Sequence, residues 1–133
     1  MDAALVRIVW QRARNRCEYC QLSREFDDTP FEIDHIISKK HHGPTVASNL
    51  ALSCFHCNSF KGSDIGGRDS LTRKFTPLFN PRRHKWNRHF HWGGPYLIGR
   101  TAVGRVTIDV LNINHPLRVE LRHELMEEGI FPP

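Results

Sequence analysis

The sequence predicts a small α+β fold for this chain of 133 residues. The first observation is a pair of Cys-x-x-Cys motifs, CEYC at 17–20 and CFHC at 54–57, which enclose two short apolar, β-branched runs. The second is helical spacing of apolar residues before the first motif and again near the C-terminus. Strands that follow one another, with helices on either side of them, are typical of the α+β class.

The N-terminal segment is predicted to form a short amphipathic helix over residues 2–15, with Asp2 as its N-terminal cap. The apolar residues at helical spacing are Leu5, Ile8, Val9 and Ala13. A tight turn is expected at Cys17, because the two cysteines of the motif are so close in sequence. The polar residues that follow, up to position 30, predict a loop.

Between the two motifs the sequence predicts the order strand, loop, strand, helix. Residues 31–37 form an apolar run interrupted by polar residues, and the next ten positions, with Gly43 and Pro44, read as a loop. A second run, NLALSC, opens with Asn49 and predicts a returning strand. Residues 57–61 predict a short helix that ends near Gly62.

The C-terminal half predicts a hairpin and two helices. Residues 65–68 and 74–79 are expected to pair as strands, whereas the secondary structure of 82–94, which alternates basic and aromatic residues, is left open. Residues 103–111 have helical spacing, with a strand as the alternative because of their β-branched content. The last helix starts at Pro116, ends at Gly129 and is expected to present Leu117, Leu121 and Leu125 on one face.

Charge and composition limit the functions that the sequence is compatible with. Lys and Arg number 19 against 14 Asp and Glu, and the segment 61–100 holds nine of the basic residues and only two acidic ones. That distribution favours a polyanionic partner, with a solvated basic face as the alternative. No apolar run of membrane-spanning length and no signal peptide are visible, so we expect a cytoplasmic protein without membrane contact. Its oligomeric state is open between monomer and homodimer.

The cysteines predict a structural zinc site made by Cys17, Cys20, Cys54 and Cys57. Two disulfides are the alternative, but the lack of an export signal favours metal. A closed set of thiolates leaves no position for water or substrate, so this zinc would stabilise the fold and take no part in catalysis. The length suits a single domain over 1–133, with a core at 17–62 and a basic, aromatic extension at 63–133.

The segment FEIDHIISKKHHGPTVASNLALSCFHCNSFKG resembles the HNH endonuclease family. The shared pattern has an Asp-His pair on the first strand, a Gly-containing loop, an Asn-Leu that opens the second strand, and a Cys-x-x-Cys followed by Asn and a Lys-Gly. About one third of the chain is covered by this pattern. The resemblance implies a ββα-metal finger, in which a hairpin and a helix hold one divalent cation.

The resemblance assigns a role to four polar residues. Asp34 and Asn58 would bind a catalytic Mg²⁺ or Mn²⁺, His35 would be the general base, and Asn49 would brace the loop, with His56 as an alternative ligand. Oxygen donors suit such ions, and a neutral imidazole supplies the proton acceptor that phosphodiester hydrolysis requires. Because neighbours on a regular strand face opposite ways, the strand is expected to twist or end at the Asp-His pair.

The expected activity is metal-dependent hydrolysis of phosphodiester bonds in DNA, with RNA as an alternative substrate. Predicted phosphate contacts are Lys61, Arg82, Arg83, Lys85 and Arg88. The aromatic residues Trp86, Phe90 and Trp92 are expected to pack the extension onto the finger, with base stacking as the alternative. Two further functions remain open: a zinc-stabilised nucleic-acid-binding module without catalysis, and an interaction protein that uses its last helix.

Overall fold

The chain begins with helix α1, Ala3–Ala13, in a computed structural model that describes residues 1–133. Asp2 caps the helix, because its Oδ1 accepts the Ala4 backbone N–H at 2.8 Å. The helix ends at Arg14, which adopts a left-handed conformation. Val9 and Ala13 are buried, so α1 lies against the rest of the molecule through this side and packs on strand β2, described next.

Strands β1 (Glu32–His35) and β2 (Leu50–Ser53) form an antiparallel hairpin, and helix α2 (Phe55–Lys61) follows directly. Asp34 lies opposite Ala51 in this hairpin, and His35 lies opposite Leu50. Every residue of β2 is buried, and α1 packs against this strand. The ββα order predicted between the cysteine motifs is confirmed.

The extension is built from hairpins and helices. Strands β3 (Gly66–Arg68) and β4 (Phe75–Pro77) pair as predicted, and helix α4 (Ala102–Val110) packs on them. The segment left open by the sequence contains a one-turn helix, α3 (Trp86–His89), and strand β5 (Phe90–Gly93). β5 pairs with β6 (Tyr96–Gly99) through a tight turn at Gly94, which has φ +58°. That second hairpin was not predicted.

Helix α5 (Pro116–Glu127) presents only part of the expected leucine face to the core. Leu125 is buried and Leu121 packs against the core, but Leu117 is 68% exposed, so the leucine stripe does not extend to the first turn of the helix. Arg118 and Arg122 point inward instead, and Arg122 is only 2% exposed. The Arg122 guanidinium donates to the backbone carbonyls of Pro95 and Ile113, which satisfies a charged group that would otherwise be costly to bury.

One hydrophobic core runs from Val9 in α1 to Phe131 beyond α5, and it includes residues of both the finger and the extension. The aromatic residues of the extension contribute to it: the ring centroids of Trp86 and Phe90 are 5.1 Å apart, and the Trp86 indole donates to the Tyr19 carbonyl at 2.8 Å. The packing role predicted for these rings is confirmed. None of the helices combines the length and apolar character that crossing a bilayer requires.

Candidate active site and metal centre

The four cysteines meet at one buried point between α1, β2 and α2, and none of them forms a disulfide. Their Sγ atoms all lie within 4.8 Å of one another, and those of Cys20 and Cys54 are 3.8 Å apart. Tetrahedral zinc with Zn–S bonds of about 2.3 Å places neighbouring sulfurs about 3.8 Å apart. The four thiols shift one another's pKa values: hydrogen bonds from Cys17 and then Cys54 hold the pKa of Cys20 well below its ordinary value, and hydrogen bonds with Cys17 and then Cys20 raise the pKa of Cys54 and Cys57. The cluster is a metal-binding site whose donors fit zinc.

A residue that the sequence did not single out, Arg118 of α5, reaches this cluster. Its Nη2 lies 3.6 Å from Cys54 Sγ and 3.1 Å from the Asp27 carboxylate. Burial lowers the pKa of Arg118, but the nearby Cys20, Cys54 and Asp27 outweigh it and raise that pKa above its ordinary value. No specific sign of this contact is present in the sequence, because an arginine is an ordinary residue on the polar face of an amphipathic helix.

A pocket of about 260 Å³ opens beside the hairpin, on a different set of residues from the cysteine cluster. Its lining brings together Asp34, His35 and Asn58, three of the four polar residues to which the family resemblance assigns a role. The remaining lining residues are Ile33, Ser38, Lys39 and Gly62. Strand β1 ends at His35, and so the two adjacent residues of the Asp-His pair face one pocket even though strand neighbours usually diverge.

His35 is partly exposed in this pocket, and its Nε2 lies 2.8 Å from the hydroxyl of Thr45. Burial, followed by the positive charge of Lys39, lowers the pKa of His35 below its ordinary value, although Asp34 opposes this shift. A lowered pKa keeps the imidazole neutral at neutral pH, which is the state in which it accepts a proton. The sequence did not predict the contact with Thr45, which lies in the loop ten residues further on.

The Asp34 carboxylate is only 4% exposed and has a hydrogen-bond donor on each oxygen. Tyr19 Oη donates to Oδ2 at 2.7 Å, and Lys61 Nζ donates to Oδ1 at 3.1 Å. Burial raises the pKa of Asp34, and the charge of Lys61 and the hydrogen bond from Tyr19 oppose that rise. Each oxygen keeps a lone pair for a further ligand.

Lys61 differs from its predicted role as a phosphate contact. Its side chain is 1% exposed, and the ammonium group binds the carbonyl oxygen of His35 at 3.0 Å as well as Asp34. The group therefore faces the protein interior and is closed to a phosphate at the surface. The physical reason is the buried Asp34 carboxylate, which needs an opposite charge nearby.

Asn49 lies behind the pocket and does not line it. Its Oδ1 accepts the Ile37 backbone N–H at 2.9 Å, and its Nδ2 donates to the carbonyls of Ile37 and Pro44 at 3.0 and 2.9 Å. Gly43 completes the same loop, because a Cβ at that position would fall 1.6 Å from the Ile37 carbonyl oxygen. These contacts hold the loop that carries Thr45 against the end of β1.

Asn58 sits in α2 and lines the pocket, and its side-chain amide makes no hydrogen bond within the protein. Its free amide oxygen and the Asp34 carboxylate are hard oxygen donors beside one pocket, which is the donor chemistry that Mg²⁺ and Mn²⁺ prefer. The pocket residues thus fit a divalent ion. His56, the alternative ligand, is directed elsewhere, because its Nε2 lies 2.8 Å from the Asn112 carbonyl oxygen.

The basic residues of the extension occupy different environments. Arg82 is half-buried and pairs with Glu18, whereas Arg83, Lys85 and Arg88 are exposed and make no ion pair. Arg83 also lines a cavity of about 240 Å³, together with Lys61 and Ile37. These two residues are the sequence neighbours of Gly62 and Ser38, which line the Asp34 pocket. The exposed cations are therefore free to contact a polyanion, while Arg82 already has a partner.

Comparisons with known proteins agree with the geometry. Residues 17–64, which contain the cysteine cluster and the whole Asp34 pocket, match the family model described as HNH endonuclease. The chain is also 29% identical over 106 residues to the Septu protein PtuB of Bacillus thuringiensis, an alignment that covers 78% of this chain and 38% of that protein. The chain thus spans well under half the length of this relative. No solved structure matches the chain.

Proposed function

We propose, from the premise that residues 17–64 belong to the HNH endonuclease family, that this chain hydrolyses phosphodiester bonds in DNA. HNH endonucleases as a family hydrolyse such bonds in nucleic acids. The observation that carries the proposal is the single pocket lined by Asp34, His35 and Asn58. A proton acceptor and oxygen donors for a cation are what this hydrolysis needs in one place.

In the proposed reaction, His35 is the general base. When His35 Nε2 carries the ring proton, it donates to the Thr45 hydroxyl 2.8 Å away, and Nδ1 is then free to take a proton from an attacking water. The water oxygen bonds to phosphorus, and the bond from phosphorus to the leaving oxygen breaks. The lowered pKa of His35 favours this role, because the imidazole enters the reaction in its neutral form.

Asp34 and Asn58 would hold the catalytic divalent ion, with Mg²⁺ and Mn²⁺ as the candidates. When bound, the ion supplies positive charge that stabilises the phosphate oxygens and the leaving oxygen. Asn49 supports the site without touching it, because its three hydrogen bonds hold the loop that brings Thr45 to His35.

The cysteine cluster is assigned to a structural zinc ion, separate from the reaction. Cys17, Cys20, Cys54 and Cys57 supply all the ligands of a closed tetrahedral site, so no coordination position is left for water or substrate. Such a site stabilises a small domain, because the free energy of metal binding adds to that of folding.

The proposed DNA contacts are the exposed cations near the pocket. Lys39 lines the pocket itself, and Arg83, Lys85 and Arg88 of the extension are exposed and unpaired. Lys61 is left out of this set because it is buried against Asp34. Cations without a protein partner gain most from phosphate contact, since no existing ion pair has to be broken.

Cleavage of matched substrates tests the proposal. Purified, zinc-loaded protein is incubated with supercoiled plasmid and with single-stranded DNA and RNA of one sequence, in Mg²⁺ or Mn²⁺ and with or without EDTA. We expect DNA cleavage that needs the added ion and stops with EDTA. Cleavage of RNA alone would overturn the DNA assignment, and binding without cleavage under every metal condition would favour the non-catalytic binding module.

A further inference from the structure

Tyr19 connects the cysteine cluster to the candidate active site. It lies between Cys17 and Cys20 in the first Cys-x-x-Cys turn and is completely buried. From there its hydroxyl donates a 2.7 Å hydrogen bond to Asp34 Oδ2. The turn that presents two thiolates therefore also presents the hydrogen-bond donor of the carboxylate proposed to bind the catalytic ion.

Lys61 reaches the same carboxylate from the second Cys-x-x-Cys motif. Cys54 caps the start of α2 and Lys61 is the last residue of that helix, so the helix spans from the cysteine cluster to Asp34. The ammonium group binds Asp34 Oδ1 at 3.1 Å and the His35 carbonyl at 3.0 Å. It thus contacts the side chain of one candidate site residue and the backbone of the next.

We propose that Tyr19 and Lys61 are positioning residues that orient the Asp34 carboxylate for the catalytic ion and so couple that ion's site to the cysteine cluster. This inference rests on the proposed function in so far as Asp34 is taken as an ion ligand. The two donors occupy one direction on each carboxylate oxygen and leave the others for a metal. Groups that hydrogen-bond a metal ligand fix its orientation, and their loss commonly lowers metal affinity by about 10- to 100-fold.

A purely structural role is the competing explanation, because any buried carboxylate needs partners. The two roles differ in what they predict for folded, zinc-loaded protein. If Tyr19 only satisfies a buried group, its loss lowers stability but leaves the affinity of the folded protein for a divalent ion unchanged. If Tyr19 positions Asp34, its loss weakens that affinity even where folding and zinc content are intact.

The test is Mn²⁺ binding, measured by calorimetry and by the electron paramagnetic resonance of free Mn²⁺, on zinc-loaded wild type and variants. Tyr19→Phe removes one hydroxyl and keeps the ring, and Tyr96→Phe is the matched control at an exposed tyrosine. We expect Tyr19→Phe to weaken Mn²⁺ binding by about 10- to 100-fold, with zinc content and melting temperature measured in parallel. Tyr96→Phe should bind as wild type, and Asp34→Asn should abolish the site.

Equal Mn²⁺ affinity in wild type and Tyr19→Phe would overturn the inference. So would a decrease in Mn²⁺ binding that is fully explained by a smaller fraction of folded, zinc-loaded protein in the variant. Lys61→Met removes a positive charge that repels a divalent ion as well as a hydrogen bond that orients Asp34, so Tyr19→Phe, which changes no charge, carries the test. If wild type binds Mn²⁺ through Asp34 but cleaves no nucleic acid, the proposed function is contradicted, whereas this inference is not. Absence of Mn²⁺ binding by wild type would overturn both.

Discussion

Arg118 Nη2 lies 3.6 Å from the Sγ of Cys54, which joins the last helix of the chain to the cysteine cluster. The same nitrogen is 3.1 Å from the Asp27 carboxylate, and both side chains are largely buried. Four thiolates around a doubly charged cation leave a net negative charge, and Arg118 offsets part of it. Helix α5 thus helps to complete a metal site whose ligands all lie in the finger.

Replacing Arg118 with Met should weaken both metal retention and stability. The change leaves Asp27 buried without its cation, although Asp27 keeps hydrogen bonds from Thr29, and we expect a loss of about 2–3 kcal/mol in the free energy of unfolding. Zinc should also leave faster when a chelator is added. Denaturant unfolding and chelator-monitored zinc release measure the two effects. Arg7→Met, at an exposed position of α1, is the control, and equal zinc release in both variants would contradict the role of Arg118.

Asn49→Ala should loosen the loop that carries Thr45. The variant loses three hydrogen bonds to the backbone of Ile37 and Pro44, so we expect a loss of roughly 2–3 kcal/mol in stability, about 1 kcal/mol for each bond. Cleavage should slow as well, because His35 depends on the loop for its contact with Thr45. Denaturant unfolding curves measure the loss of stability, and single-turnover rates measure the change in cleavage. Ser48→Ala, next to it in sequence and exposed, should behave as wild type.

The Asp69 carboxylate accepts hydrogen bonds from Arg105 Nε and Nη2 at 3.0 Å each. This ion pair should make stability depend on pH in the acid range. Hydrogen bonds from Arg105, and next from the backbone of Thr72, hold the pKa of Asp69 below its ordinary value, which is about 4 in unfolded chains. The pair therefore stabilises the fold fully above about pH 4, and this contribution is lost as the pH falls towards the lower folded-state pKa. Melting temperatures at a series of pH values below 5 should fall less steeply for Asp69→Asn than for wild type. Identical slopes would show that Asp69 has no depressed pKa.

The triple variant Arg83→Ala, Lys85→Ala, Arg88→Ala should bind DNA more weakly than wild type and with less dependence on salt. Each lost phosphate contact lowers the slope of log affinity against log salt by about 1. Fluorescence anisotropy with a short duplex, from about 50 to 200 mM salt, gives both the affinity for DNA and its dependence on salt. Arg7→Ala and Arg24→Ala, exposed cations of the N-terminal region, serve as controls. An unchanged slope would place the DNA elsewhere on the molecule.

Much of the finger could be predicted from sequence because its signals are local. The cysteine spacing, the Asp-His pair and the position of Asn58 each depend on a few neighbouring residues, and the structure brings the four sulfurs together and gathers Asp34, His35 and Asn58 around one pocket. The hairpin of β5 and β6 was missed because Tyr96 and Ile98 are exposed apolar residues, so the usual alternation of apolar and polar side chains is absent.

The contacts around Asp34 could not be predicted, because they depend on burial that only the tertiary fold creates. Lysine is among the residues least often buried, so the sequence favoured a surface role for Lys61, yet the carboxylate of Asp34 holds it inside. Tyr19 gave no signal either, since a tyrosine between two cysteines is as compatible with simple packing as with a hydrogen bond to a residue 15 positions away. The inward direction of Arg118 likewise follows from the cysteine cluster beneath α5.

The proposed role of His35 as the general base is tested by the single-turnover cleavage rate of His35→Ala. DNA is cut at saturating Mg²⁺ or Mn²⁺, with His41→Ala as the control at an exposed histidine of the same loop. We expect a rate about 10²- to 10⁴-fold below wild type for His35→Ala, with zinc content, melting temperature and DNA affinity unchanged. A rate equal to that of wild type and His41→Ala would contradict it.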